Sequence, residues 1–411
     1  MMKKILFLTF EYPYGHFGAS SHCSTRIMED LAGSSEFEVH NISYSGTRKN
    51  YREISAVRLH SSGYSERLRN RPVWMTRLGL FLKIPFYPFT KFFNSLRLYR
   101  TCRTIVNSYD YDLVIAQCNP EESVRVGTWL KKHGYVKRLM VIFWDNIYGK
   151  LPRRIIPKGF ALRRQRTAEN NIAKYADLLV SLYPVKAFHD EYGDVSNAIG
   201  KREYLGIPSI VKPDTTRVSS HMHVIKEGKI NLLYSGTIFR KEYVSYFVDM
   251  VNRTSIAEKV NLIFFSRGVG NSDFEQLQKQ FKGSIQFSAW IPLDDLLALY
   301  PSIDFFVSYP GVATAVRSKI YEYISYGKPL VLLYDDDKDV NVSTFSCYPA
   351  CMALDERHPA DDNARILEPY LLDNLHVSIP FEEIENSFPK DSSKAYVRLI
   401  KELIQMRMDS R

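Results

Sequence analysis

The chain has 411 residues, 45% of them hydrophobic and 24% charged. That length suits two domains, and that composition excludes a disordered or coiled-coil protein. A surplus of 55 Lys and Arg over 45 Asp and Glu gives +10, which admits nucleic acid, anionic lipid or phosphorylated ligands as partners.

The opening apolar run, Ile5 to Phe10, meets Glu11, Tyr12 and Pro13 before a leader could form, so it reads as a buried first strand over Lys4–Phe10. A loop with Gly15 and Gly18 comes next, then a helix from about Ser21 to Ala32 and a strand over Phe37–Ile42. Beyond it lies a basic window, 66–103, with nine Lys or Arg and Glu66 as its one acid. Trp74, Phe81, Phe86, Tyr87, Phe89, Phe92, Phe93 and Tyr99 lie among these cations. Strands are expected over Asp112–Ala116 and Arg138–Trp144, with a helix around Glu121–His133 between them. A second basic window, 150–166, carries seven cations and no acid. Outside both windows 39 bases face 44 acids, so the surplus is local. A helix ending at Tyr175 and a strand over Asp177–Leu182 complete this half.

The stretch 207–227 lacks periodicity and holds Pro208 and Pro213, which places a domain boundary near residue 212. The same rhythm then restarts. Strands are expected over Lys229–Ser235, Val260–Phe265, Ile285–Ala289, Asp304–Ser308 and Pro329–Leu333. Helices are expected over Lys241–Val251, Ser272–Phe281, Leu293–Leu299 and Val316–Tyr326, with a last one at about 392–408. Near-continuous apolar strands alternating with helices define an α/β protein with parallel sheets covered on both faces. No apolar run reaches 18 residues, and Cys347-x-x-x-Cys351 lacks the second pair or histidine that a zinc site needs. Reduced cysteines in a cytoplasmic protein are expected.

The most informative segment runs from Val316 to Val331 and includes Ser318, Lys319, Glu322 and Gly327-Lys328-Pro329. Its helix begins near a strand's carboxyl end, where backbone N–H groups, the helix dipole and Lys319 could address a phosphate. Glu322, one turn on, could accept two hydroxyls of a ribose. From spacing alone, an amphipathic helix with solvated Lys and Glu fits equally well.

This segment resembles the signature of GT-B fold glycosyltransferases, especially the family 4 type. The resemblance implies two Rossmann-like doubly wound domains facing across a cleft: an acceptor-side domain over 1–212 and a nucleotide-sugar donor domain over 213–411, whose last helix at about 392–408 can pack back on the first. Glu322 matches the second glutamate of the family's Glu-x7-Glu motif, which binds the nucleotide ribose; Thr314 stands where the first would be. Leu232–Lys241 resembles the strand–Gly–basic element of the donor domain, with Gly236 at the turn and Arg240 or Lys241 for the diphosphate. Arg267, in Ser266-Arg267-Gly268-Val269-Gly270, is a further candidate for that charge. Gly311 and Thr314 fall on the loop expected to meet the donor sugar. On the acceptor side, Gly15, His16 and Gly18 resemble the family's glycine loop. Asp145 matches the acid of its His-Asp pair, with Trp144 in place of the histidine, and a turn-capping carboxylate is an equal reading there.

The same resemblance implies a hexosyltransferase, retaining and metal-independent, that takes a UDP- or GDP-linked sugar as substrate without any cofactor. Its acceptor would be a glycan or lipid-linked hydroxyl in polysaccharide synthesis. The two basic, aromatic windows are expected to dock it peripherally on the anionic inner face of the plasma membrane. Nucleic acid is not expected as a partner, since no recognition motif accompanies the charge. A nucleic-acid-binding protein and a nucleotide-sugar epimerase are the competing classes.

Overall fold

The computed structural model describes residues 2–11, 19–45, 57–61, 84–118, 121–150, 156–268, 270–288, 291–313 and 315–406. The chain divides into two compact units: Met1–Pro208 with Lys390–Arg411, and Ser209–Pro389. The expected division at residue 212 thus has a counterpart at Pro208. The last helix, read as one that can pack back on the first domain, groups with the first unit.

The first unit is built on a seven-stranded sheet, entirely parallel. Its elements are β1 (Lys3–Glu11), α1 (Ala19–Ala32), β2 (Phe37–Ser45), β3 (Val57–Ser61), α2 (Phe92–Tyr109), β4 (Leu113–Cys118) and α3 (Glu121–Lys132). They continue with β5 (Leu139–Phe143), α4 (Lys158–Tyr175), β6 (Leu178–Leu182), α5 (Pro184–Tyr192) and β7 (Arg202–Leu205). Strand order is β3-β2-β1-β4-β5-β6-β7. Every residue of β4 and β5 is buried, because helices cover both faces. Leu8, Val114 and Val141 form the core with Val126 and Leu130 of α3.

The second unit repeats this plan with six parallel strands. Its order begins with β8 (Ile230–Thr237), α6 (Lys241–Asn252), β9 (Val260–Arg267), α7 (Asn271–Gln280), β10 (Ser284–Ser288), α8 (Leu293–Leu299) and β11 (Phe305–Ser308). It continues with α9 (Ser318–Ser325), β12 (Leu330–Tyr334), α10 (Val340–Phe345), β13 (Cys351–Asp355), α11 (Ala360–Asp373) and α12 (Phe381–Ser387). Strand order is β10-β9-β8-β11-β12-β13. Leu232, Val307 and Val331 on the strands pack against Phe247, Val251 and Leu367 on α6 and α11.

In both sheets the chain winds outward from the first strand to one side, then returns to build the other. The strand order therefore reverses between β1 and β4 in the first unit, and between β8 and β11 in the second. The loops at the carboxyl ends of such neighbours diverge, leaving a crevice that suits a ligand.

The returning segment is locked to the first unit by α13 (Ser393–Gln405). Tyr396, fully buried, donates to Gly206 O at 2.7 Å, Tyr183 donates to Asp391 Oδ2 at 2.6 Å, and Ser393 bonds Asp30 on α1.

Candidate functional site

The second unit's crevice is defined by the ends of β8 and β11 and the start of α9. Tyr323 on α9 fastens this corner. Its hydroxyl accepts the Ser235 N–H at 2.8 Å and donates to Ser235 O at 3.0 Å, and its ring stacks on Phe306 at 4.3 Å. Burial pushes the Tyr323 and Tyr300 hydroxyls well above the usual phenol range, so both stay protonated donors. Gly236 comes next with φ +152°, and a Cβ there would stand 3.0 Å from the Tyr234 hydroxyl, which itself donates to Thr237 O at 2.9 Å.

Lys319 and Glu322 meet each other: Nζ lies 2.7 Å from Oε2, with both side chains partly exposed. The structure thus brings together the expected phosphate cation and the expected ribose carboxylate. Burial raises the Tyr234 hydroxyl to about 12, against the fields of Arg317 and Lys319, which places those two cations near the end of β8. Ser318 opens α9, whose N-terminus carries no side-chain cap. Gly327, with φ +72°, ends the segment as expected for a left-handed cap.

The other expected residues scatter along the same edge. Arg240, 58% exposed, stands at the N-terminus of α6 with its guanidinium 4.9 Å from the Tyr243 ring centre. Asp335 lies 3.8 Å from it and accepts the Tyr243 hydroxyl at 2.9 Å. Lys241 is 3.8 Å from Asp273. Arg267 ends β9 opposite Thr237, and its side chain lies outside the described residues. Gly311 has no strained backbone; a Cβ there would meet only Arg317 Nε at 3.5 Å. Thr314, Gly15, His16 and Gly18 all lie outside the described residues. In the first unit Asp145 is exposed just after β5, its N–H donating to Cys118 O at 3.3 Å. Trp144, in the histidine's place, is buried and donates to Gln117 Oε1 at 3.0 Å.

Two features of the crevice go beyond what the sequence indicated: the crowding at Gly268, in a loop the sequence did single out, and the bonds of Arg317. Gly268, with φ +102°, has no room for a Cβ, which would fall 2.2 Å from Ile238 O. This loop can pass the end of β8 only as glycine. Gly268→Ala is expected to cost about 2–4 kcal/mol, read as a lower urea midpoint; an unchanged midpoint would refute the crowding. Arg317, at the N-cap of α9, is 15% exposed. It pairs with the buried Asp339 and donates to Ser308 Oγ at 3.2 Å, while its Nε has no hydrogen-bond partner among the described residues. It thereby joins the end of β11 to the start of α10, directly behind Gly311. An arginine one residue before Ser318 was the sole sequence signal. The acidic run Asp335-Asp336-Asp337 is partly engaged: Asp335 with Tyr243, and Asp337 with Arg357.

One group of metal-capable side chains stands out among the described residues: Glu169, His189 and Asp194 in the first unit. Arg202 already fills it, bonding Glu169 Oε1 at 2.7 Å and Asp194 Oδ2 at 2.7 Å. A guanidinium therefore holds the position that a cation would take.

Solved structures resemble this chain across its length. Sucrose-phosphate synthase from Thermosynechococcus elongatus matches with a TM-score of 0.63 and 12% identity, over 98% of both chains. The fold is GT-B. WaaG, a glycosyltransferase involved in lipopolysaccharide biosynthesis, matches at TM-score 0.55 and 13% identity, over 99% of this chain and 100% of its own. A UDP-forming trehalose-phosphate synthase from Burkholderia xenovorans, in complex with glucose-6-phosphate, matches at 0.60 and 10%, over 98% and 100%. No protein-family model and no curated protein matches the sequence. The expected GT-B architecture is thus present, with the segment 316–331 forming α9, which follows β11 at the second unit's strand-order reversal, and running into the first residues of β12.

Proposed function

We propose that the protein is a glycosyltransferase that moves a sugar from a nucleoside diphosphate sugar to a hydroxyl of a glycan or lipid-linked acceptor. The observation that carries this reading is the Lys319–Glu322 pair on α9, set beside the strand-order reversal of a GT-B donor-type unit. Glu322 takes the ribose hydroxyls, exchanging its bond to Lys319 for them, and the released ammonium turns to the diphosphate. Arg240 and the uncapped start of α9 add positive potential, and Arg267 is the further candidate.

The chemistry demanded is modest. The bond between the anomeric carbon and the phosphate oxygen breaks, the acceptor oxygen bonds that carbon, and the acceptor's proton leaves to a base or to the departing phosphate. Charge grows on the diphosphate, so fixed cations and N–H donors lower the barrier. Asp145 is the acceptor-side carboxylate of this reading. Retention of configuration, independence of metal, and UDP or GDP as carrier belong to the same proposal. So does peripheral residence at the cytoplasmic membrane face. No helix among the described residues is long and apolar enough to cross a membrane, and Arg97, Arg100, Arg163 and Arg166 are exposed for contact with an anionic surface.

The test is nucleotide release from a panel of UDP- and GDP-sugars, with and without Glu322→Ala. Turnover on one donor is expected, reduced on the order of 10²-fold by the substitution. No turnover and no nucleotide binding by the wild type would defeat the reading.

A further inference from the structure

The described part of the first basic window and the second window are joined on the first unit. Arg164 on α4 donates from Nε to Tyr87 O at 3.2 Å and from Nη2 to Pro85 O at 2.6 Å, fastening the segment before α2 to α4. Between this segment, α3 and α4 opens a cavity of about 320 Å³, a size used for small ligands. Arg125 on α3 forms part of its wall. The guanidinium lies 5.0 Å from the ring centre of Phe89, 4.8 Å from Phe92 and 4.6 Å from Trp129. Stacking occupies the faces of a guanidinium and leaves its N–H edge available. Among the described residues no hydrogen bond or ion pair takes up that edge.

The cavity's charge is one-sided. Arg125, Lys132 and Arg164 line it, and no acidic residue does among the described residues. The acid one turn before Arg125, Glu122, is buried and accepts the Lys91 N–H at 3.2 Å. Hence the ligand is an oxyanion with a carbon skeleton that aromatic rings can cover. Two further rings select its source: Phe86, on the lining, is 44% exposed, and Phe93, next to Phe92, is 78% exposed. Exposed phenylalanines beside a cluster of cations are what the boundary of an anionic bilayer accommodates. A freely soluble anion would leave them in water.

We propose that this cavity seats the headgroup of one anionic phospholipid, its phosphate on the N–H edge of Arg125 and its chains beside Phe86 and Phe93. The proposal rests on the peripheral-membrane reading of the function and sharpens it. Attachment here is a saturable site of fixed geometry, where the surrounding arginines supply only diffuse attraction.

The full chain is titrated with dihexanoyl phosphatidylglycerol, with the matching phosphatidylcholine and with inorganic phosphate, following the fluorescence of Trp129 against a Trp129→Phe control. Vesicle flotation on phosphatidylglycerol and phosphatidylcholine runs alongside. Saturable binding of the short-chain anionic lipid is expected, weakened about tenfold or more by Arg125→Lys, which keeps the charge but loses the planar fork. Arg97→Gln with Arg100→Gln is expected to lower vesicle binding while sparing the short-chain lipid. Lys132→Gln supplies a second probe at the rim, expected to weaken the lipid should Arg125→Lys melt early. Lipid affinity unchanged in both Arg125→Lys and Lys132→Gln overturns the site and leaves the membrane reading standing. Phosphate binding as tight as lipid binding overturns the lipid assignment. Indifference of the wild type to anionic vesicles removes the membrane reading as well.

Discussion

Arg202→Met is expected to cost the first unit about 3–5 kcal/mol, seen as a melting midpoint lower by roughly 10 °C. Arg202 is 2% exposed and Glu169 is not exposed at all. Besides both carboxylates, the guanidinium bonds Ser181 Oγ at 2.6 Å and lies 5.5 Å from the Phe143 ring centre. It links β7 to β6, to α4 and to the loop bearing Asp194. Without it, Glu169 keeps, among the described residues, the Tyr148 N–H at 2.8 Å in a buried setting. Burial already raises the Glu169 carboxyl against the pull of Arg202, so the variant must take up a proton there on folding. Adding Glu169→Gln should therefore restore part of the loss, and the gain from that second substitution should grow with pH. A single variant within about 1 kcal/mol of wild type would show that the pair is dispensable.

Arg317→Ala is expected to affect stability and catalysis together. It leaves Asp339, 2% exposed, without its cation, at a cost of about 3 kcal/mol. It also releases Ser308 and the loop behind Gly311, where the donor sugar is proposed to lie. Turnover of the accepted donor should fall on the order of 10²-fold, mainly in kcat, because misplacement of the reacting bond is costly. Arg317 thus acts as a positioning residue. Arg317→Lys should recover stability more than turnover, since an ammonium answers Asp339 but cannot span Asp339 and Ser308 at once. Asp339→Asn should be milder still: asparagine can keep the acceptor that Asp339 offers to the Asn341 N–H at 2.9 Å. Equal loss of stability and activity in all three variants would remove the positioning role.

The two guanidiniums show where sequence reading succeeds and where it stops. Central strands such as β4, β5, β8 and β12 are buried on both faces, so their apolar runs announce them. Of the four edge strands, β10 still announces itself through Ile285 and Phe287, while β3, β7 and β13 lack that signal. The four residues Arg202–Leu205 read as polar because Arg202 is spent on a buried ion pair, and the five of Val57–Ser61 are similarly mixed. α11 was hidden by Pro369 in its interior. Ser318, Lys319 and Glu322 share one contiguous helix, so helical spacing sets their mutual placement, but the family resemblance is what singled them out. Arg317 with Asp339, and Gly268 with Ile238, depend on elements that only the folded sheet brings together.

The lock formed by Tyr183, Gly206, Asp391 and Tyr396 bears on the order of synthesis. On a ribosome, Ser209–Pro389 emerges as an uninterrupted stretch and has every strand of its sheet before Lys390 appears. The first unit has its seven strands much earlier, yet the place of α13 against α1 stays open until Ser393–Gln405 has followed the whole of Ser209–Pro389. The unit begun before the other is thus completed after it. A chain stopped at Pro389 should retain a cooperative transition from Ser209–Pro389 while its amino-terminal half melts early.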